Sequence, residues 1–287
     1  MSDKMMKVTP IAGALGAEIE GVDLAALDDN AFAFIKQAFI DHHVLMFHDQ
    51  QLTPEQHLAV GRWFGDLDIA PFVKAMDDYP EIIEVIKNPD DKINFGAGWH
   101  SDFSFKDEPP LGSLLYALET PPQGGDTMFA NLHLAYETLS DGMKEMLDGL
   151  VGIHSPRRSY SAAALATRKR SGMTIEADET SEATWEHPLI RVHADTGRRC
   201  LFVNSIYTIG VKGWTEEESR PLLEYLNAHA VRPEFTCRFR WRKNSLVFWD
   251  NRCVLHSALN DYAGFRRHMR RVTVVGERPI GIQSAVA

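Results

Sequence analysis

The sequence predicts a mainly β fold with flanking helices, a double-sheet jelly roll. Two observations carry this. Short apolar or alternating runs (Val44–Phe47, Leu111–Leu118, Leu189–Val192, Cys200–Asn204, Ser245–Trp249, Met269–Val275) outnumber the helical segments. Those helical segments fall early in the chain or in single connections. There is also no internal repeat, low-complexity tract or interdomain linker, so residues 1–287 read as one domain.

Taken in order, Val8–Leu24 reads as strand, turn, strand, punctuated by Gly13, Gly16 and Gly21. Asp28-Asp29 opens a helix with Phe32, Ile35, Phe39 and Ile40 at helical spacing, and His42-His43 ends it. Val44–Phe47 is a buried strand. Thr53-Pro54 caps a helix that runs to about Trp63. Segment 66–98 is polar, with turn signals on either side of a strand at Ile82–Ile86. Ser140 caps a helix with Met143, Met146, Leu147 and Leu150 on one apolar face. Segment 156–185 is strongly polar, including Arg157, Arg158, Arg168, Lys169 and Arg170. Loops of that length in a compact fold are lids or solvated surface, and we expect lid insertions at 66–98 and 156–185. Thr215 and Glu218 form a capping box, with Pro221 early in the helix that follows. Phe235, Cys237, Phe239 and Trp241 alternate with polar residues as in a half-buried strand.

Bulk properties exclude more than they assign. The 287 residues are 44% hydrophobic and 24% charged, enough for a sizeable core. A formal net charge of −10 argues against a general nucleic-acid partner. Arg266, Arg267, Arg270 and Arg271 nevertheless cluster, which makes a local anion site. Cys200, Cys237 and Cys253 match no zinc spacing and leave one thiol over in any pairing, so reduced cysteines in a cytoplasm are expected. No run of about 18 apolar residues exists, so no membrane span is expected.

The chemistry concentrates in two stretches, Gly98-Trp99-His100-Ser101-Asp102-Phe103-Ser104-Phe105 and Trp249-Asp250-Asn251-Arg252-Cys253-Val254-Leu255-His256. His100, Asp102 and His256 read as ligands of one iron ion. Two neutral imidazoles and a carboxylate on one face of Fe(II) leave three positions for substrate and oxygen. On a strand, residues 100 and 102 would point the same way. Arg267, eleven residues after His256, is placed to anchor an acidic cosubstrate. His133, His154, His187, His193 and His229 read as hydrogen-bonded structure.

Trp99-His100-Ser101-Asp102, Gly124-Gly125-Asp126-Thr127, Trp249-Asp250-Asn251-Arg252, His256, and Asp261-Tyr262 through Arg267 and Arg271 resemble the taurine dioxygenase / 2,4-dichlorophenoxyacetate dioxygenase family. The likeness starts at Leu15–Ile19 and covers nearly the whole chain. It implies a double-stranded β-helix (jelly-roll) core and a dioxygenase using Fe(II), 2-oxoglutarate and O2. It implies His100, Asp102 and His256 as iron ligands. Thr127 and Arg267 match the positions that hold the far carboxylate of 2-oxoglutarate, where guanidinium and hydroxyl suit a carboxylate.

Arg271 matches the position that grips a substrate carboxylate or sulfonate, and Tyr207 one that sets an aromatic ring against substrate. Ala70 and Val73, followed by Lys74, stand where taurine-specific members place a His and a Tyr. Pro71–Lys74, Arg240–Lys243 and Asp261–Gly264 are more similar to enzymes that cleave (R)-2-aryloxypropionates. The substrate implied is a small organic anion hydroxylated beside a heteroatom, an aryloxyalkanoate first, an alkylsulfonate or alkyl sulfate second. Relatives suggest a dimer or tetramer. Plain structural roles exist for each substrate residue: a solvated Lys74, a core-packed Tyr207, an internal salt bridge for Arg271. A non-catalytic anion-binding jelly roll and a zinc hydrolase are the readings of other classes.

Overall fold

The structure is a computed structural model and describes residues 5–167 and 172–282. Nine strands form the larger sheet. Their order is Lys7–Pro10, Ala17–Glu20, Val44–Phe47, Leu246–Asp250, Gly112–Glu119, Arg267–Val274, Tyr79–Lys87 and Ala75–Met76, with Leu67–Asp68 paired to Arg267–Val274. Ala17–Glu20 runs parallel to Val44–Phe47, and the other pairs are antiparallel. A smaller antiparallel sheet of Thr236–Phe239, Thr127–Asn131 and Val254–Ala258 faces it. Phe129 and His256 of this sheet lie 5.8 and 4.7 Å from the Trp249 ring of the larger one. The two sheets so joined are the jelly roll that the strand pattern predicts.

Alternation of side chains divides the larger sheet into two faces. Leu114, Tyr116, Leu246, Phe248, Val272 and Val274 pack outward with Ile35, Phe39 and Leu58 of helices Asp29–His42 and Pro54–Arg62. Phe39 stacks on Phe248 at 4.0 Å. Leu115, Ala117, Val247, Trp249 and Met269 point inward. Each such burial contributes about 1.5–3 kcal/mol. The outer apolar row also fixes register. A one-residue slip of Arg267–Val274 would bury its polar row under the helices and turn Arg267, Met269 and Arg271 away from the interior.

The predicted caps form. Asp28 accepts from Ala31 N, and Thr53 with Gln56 and Thr215 with Glu218 make capping boxes. His43 ends the first helix in the left-handed region, at φ 62°.

Several expectations need correction. Residues 100–102 do not lie on a continuous strand. His100 makes one isolated bridge to His256, and the chain then turns. The helix from Asp141 stops at Leu147, short of Leu150, and leaves Met146 exposed. Its seven residues are too few to carry the whole apolar stripe. Trp241 falls beyond the strand Thr236–Phe239 yet is buried. Segment 66–98 supplies three strands of the larger sheet. In segment 156–185, helices Arg157–Tyr160 and Ala162–Thr167 tuck Tyr160 into the core, and Ile175 bridges to Val73. Residues 168–171 of that segment lie outside the described residues. No helix among the described residues is long and apolar enough to cross a membrane.

Candidate active site

His100 and His256 meet through their backbones. Each N–H donates to the other's carbonyl, at 3.0 and 2.8 Å, and the rings lie 4.2 Å apart. The turn after Ser101 then swings Asp102 between them. Asp102 Oδ1 lies 3.9 Å from Nε2 of both histidines. Convergence therefore comes from a bridge plus a turn, not from the period of a strand.

The surroundings fix the donor atoms. His100 Nδ1 is 2.8 Å from the Gly98 carbonyl, so its proton sits there and Nε2 keeps a lone pair. Ser113 Oγ donates to Asp102 Oδ2 at 2.8 Å, and Asn251 Nδ2 donates to Ser113. Asn251 Oδ1 accepts from the Asp102 backbone N–H and from Trp249 Nε1. Burial lowers the pKa of His100, and burial with the neighbouring His100 lowers that of His256 further. Both imidazoles are neutral at pH 7. Burial pushes the Asp102 carboxyl up, but Arg271, His256, His100 and Ser113 outweigh it and hold it at about 2. Two neutral nitrogen donors and one anionic oxygen, close and buried, fit a ferrous ion with open positions.

The inward row of the strand Arg267–Val274 brings two arginines to this site. Arg271 Nη1 donates to Asp102 Oδ1 at 2.6 Å, and its guanidinium lies over Phe103 and Phe95 at 5.1 and 5.9 Å. A cation held by the triad competes with Arg271 for that carboxylate oxygen. Arg267 is 3% exposed. Among the described residues its Nε and Nη2 have no hydrogen-bond partner. Its guanidinium sits over the Trp241 ring at 5.4 Å, and Trp241 Nε1 donates to Thr127 Oγ1 at 2.9 Å. The Thr127 hydroxyl proton is thereby free to point elsewhere. A buried guanidinium with open donors beside a free hydroxyl fits a carboxylate. His100, Thr127, His256, Arg267 and Arg271 line one narrow cavity with Trp249 and Phe95.

Tyr207 is buried, edge-on to His100 at 6.1 Å. Phe105 meets it at 4.8 Å, and Tyr160 lies parallel to it at 6.5 Å and stacks on Phe72. Val73 is buried in the same core. Lys74 is not brought to the cavity: it sits at the surface and pairs with Asp77 at 3.1 Å. Ser113, Trp241 and Tyr160 also touch the site residues, and the sequence marks none of them with a role at the site. Asn251 lies in the Trp249–Arg252 motif, and its part in holding Asp102 emerges only from the fold. No local signal marks Ser113 or Tyr160; the aromatic Trp241 between Arg240 and Arg242 was the one visible hint.

The model of the taurine catabolism dioxygenase TauD, TfdA family matches residues 7–273. The chain belongs to that family. It is a 2-oxoglutarate-dependent non-haem iron dioxygenase. An alpha-ketoglutarate-dependent sulfate ester dioxygenase of Pseudomonas putida is 32% identical over 98% of this chain and 93% of its own length. An alpha-ketoglutarate-dependent 2,4-dichlorophenoxyacetate dioxygenase of a Burkholderia species is 35% identical over 82% of each. Among solved structures, a taurine dioxygenase from Burkholderia xenovorans shares 37% identity at a TM-score of 0.82, covering 97% of this chain and 93% of that one. AAD-2, solved with Mn(II) and N-oxalylglycine, shares 30% at 0.78, covering 96% and 99%.

Proposed function

We propose that this dioxygenase hydroxylates a small organic anion at a carbon next to a heteroatom, and that its substrates are aryloxyalkanoates. The observation that supports an aryl group is the set of rings Tyr207, Phe105, Tyr160 and Phe72, packed from the His100 face outward. These rings pack on one another behind His100, while Phe95 and Trp249 line the cavity itself, and an aromatic flank of this kind suits a flat apolar ring. Arg271 suits the substrate's carboxylate, and Val73 shapes the mouth; Lys74, paired with Asp77 at the surface, takes no part.

In this reading His100, Asp102 and His256 hold Fe(II), and Arg267 with Thr127 takes the far carboxylate of 2-oxoglutarate. When bound, iron and cosubstrate supply the oxidising power by reducing O2 as 2-oxoglutarate becomes succinate and CO2. The protein's own residues bind, orient and exclude water. Asn251 and Ser113 hold Asp102 in place. Trp241 holds the Thr127 hydroxyl and covers Arg267. Arg271 exchanges Asp102 for the substrate anion. Hydroxylation of the ether-bearing carbon gives a hemiacetal-type product, which separates into a phenol and a 2-oxo acid or aldehyde acid.

A sulfate ester is the second reading, favoured by the near full-length likeness to the Pseudomonas putida enzyme. We read residues 1–287 as one catalytic domain, with the described part of segment 156–185 laid against Phe72 and Val73 through Tyr160 and Ile175. We place it in the cytoplasm as a dimer or tetramer. A panel of aryloxyalkanoates, alkyl sulfates, alkylsulfonates and plain carboxylates, scored by succinate and phenol release, tests the substrate. Aryloxyalkanoates should give the highest kcat/KM. Alkyl sulfates leading the panel, with Tyr207→Ala indifferent, would overturn the aryl reading.

A further inference from the structure

A second group of donors lies buried behind the site, between the first helix and the turn that carries Asn251. His43 Nδ1, His133 Nε2 and His193 Nδ1 are buried and have no hydrogen-bond partner among the described residues. Cys253 is fully buried beside them. Single donor atoms from His43, His133 and Cys253 all lie within 4.8 Å of one another. A bare imidazole nitrogen in a dry interior costs about 1–3 kcal/mol. Three in one place call for a physical cause.

The outer nitrogens fix which atoms face inward. His133 Nδ1 is 2.9 Å from the Arg199 carbonyl and must carry the proton there, which leaves Nε2 as a lone pair. His193 Nε2 is 3.0 Å from Asp250 Oδ2 and donates to it, leaving Nδ1 as a lone pair. Asp250 itself is saturated by Arg252 and His193, so it orients rather than ligates. Carbonyl or carboxylate behind imidazole is the arrangement that sets histidines for metals.

The ring spacing agrees. With metal–nitrogen bonds near 2 Å, two imidazoles on one tetrahedral ion place their centroids about 5 Å apart. His43 and His133 are 5.1 Å apart, and His133 and His193 are 5.6 Å apart. The His43–His193 distance is 6.5 Å, so His193 stands furthest out.

We propose that His43, His133 and Cys253 hold a divalent cation of zinc's class, with His193 drawn in as the fourth donor. Binding displaces the thiol proton of Cys253, so each metal taken up releases one proton. With all four donors protein-derived, the site is closed and structural. It clamps the end of the first helix to the turn that carries Asn251, which in turn positions Asp102.

The test uses the full-length protein, folded in cells in cobalt-supplemented, zinc-depleted medium and dialysed against a chelator. The expected result is one retained cobalt per chain, with an intense thiolate-to-cobalt charge-transfer band and the strong visible bands of a tetrahedral ion. The iron triad contains no sulfur and gives no such band. Cys253→Ser should abolish the charge-transfer band, and His133→Leu should lower retained cobalt at least tenfold. If those variants fail to fold, X-ray absorption on the unaltered zinc-grown protein decides, with a sulfur scatterer at about 2.3 Å expected. Protein that retains no metal after dialysis, or a first shell without sulfur, overturns the proposal and assigns the cluster to neutral hydrogen-bonded histidines.

Discussion

Replacing Arg267 by methionine separates a ligand-binding guanidinium from a structural one. Arg267 is 3% exposed, and its Nε and Nη2 lack partners among the described residues. Burial lowers its pKa even though Tyr262 and Asp126 work the other way, so the fold holds this cation at a cost. Donors left unpaired in the interior cost about 1–3 kcal/mol. Methionine fills similar space without charge. Arg267→Met should therefore raise unfolding free energy in the absence of ligand by roughly 1–3 kcal/mol, seen as an increase in Tm of about 2–4 °C per kcal/mol. Binding should move the opposite way. A cosubstrate carboxylate takes two charge-assisted hydrogen bonds of about 1.5–3 kcal/mol each. Their loss weakens 2-oxoglutarate binding by about 10²- to 10⁴-fold. Succinate formation against 2-oxoglutarate concentration, with thermal unfolding on the same preparation, measures both. A lower Tm with an unchanged KM for 2-oxoglutarate would refute the reasoning, since Arg267 would then be a structural cation.

Arg271→Leu should raise the KM for the organic anion about 10- to 100-fold, from a charge-assisted contact of about 1.5–3 kcal/mol. Fe(II) binding should persist or tighten, because the guanidinium no longer competes for Asp102 Oδ1. Lost Fe(II) with an unchanged KM would make Arg271 an internal salt bridge only. Trp241→Phe removes the donor to Thr127 and should raise the KM for 2-oxoglutarate roughly 3- to 10-fold, leaving the organic-anion KM alone; a change confined to the organic anion would contradict its placement. Stability should fall in acid. Burial lowers His57 from 6.5 to about 3, and His187 to about 4. The unfolded chain takes up protons below 6.5 that the folded chain refuses. Stability is thus fully present above that value and declines as pH falls toward the folded values. Between pH 7 and 5.5 each group should cost roughly 1 kcal/mol, roughly 2 in all, readable as a shift in urea midpoint; a flat midpoint would mean these imidazoles titrate normally.

The parts of the molecule legible in the sequence are those set by local chemistry. Thr53-Pro54 and Thr215 with Glu218 announce their helices because a cap needs those side chains at those spacings. Arg267 and Arg271 share a face because a strand has period two. The triad was legible as a set of residue types, but the means of its assembly was not. An isolated bridge between His100 and His256 depends on pairing 156 residues apart in the chain, and nothing local encodes it. Tyr160 was hidden for a related reason. Its segment is polar on average, yet a single buried ring anchors it against Phe72 and Tyr207. Ser113 lay in a run that reads only as a buried strand, and its hydroxyl gains meaning from Asp102 across the sheet.

The central claim is that His100, Asp102 and His256 hold iron while Arg267 holds its keto-acid partner. Anaerobic addition of Fe(II) and 2-oxoglutarate, followed in the visible region, tests it most directly. The unaltered protein should develop a weak charge-transfer band that needs both components, and Asp102→Ala or His256→Ala should abolish it. Absence of the band from the unaltered protein, with no succinate formed once oxygen is admitted, would contradict the claim.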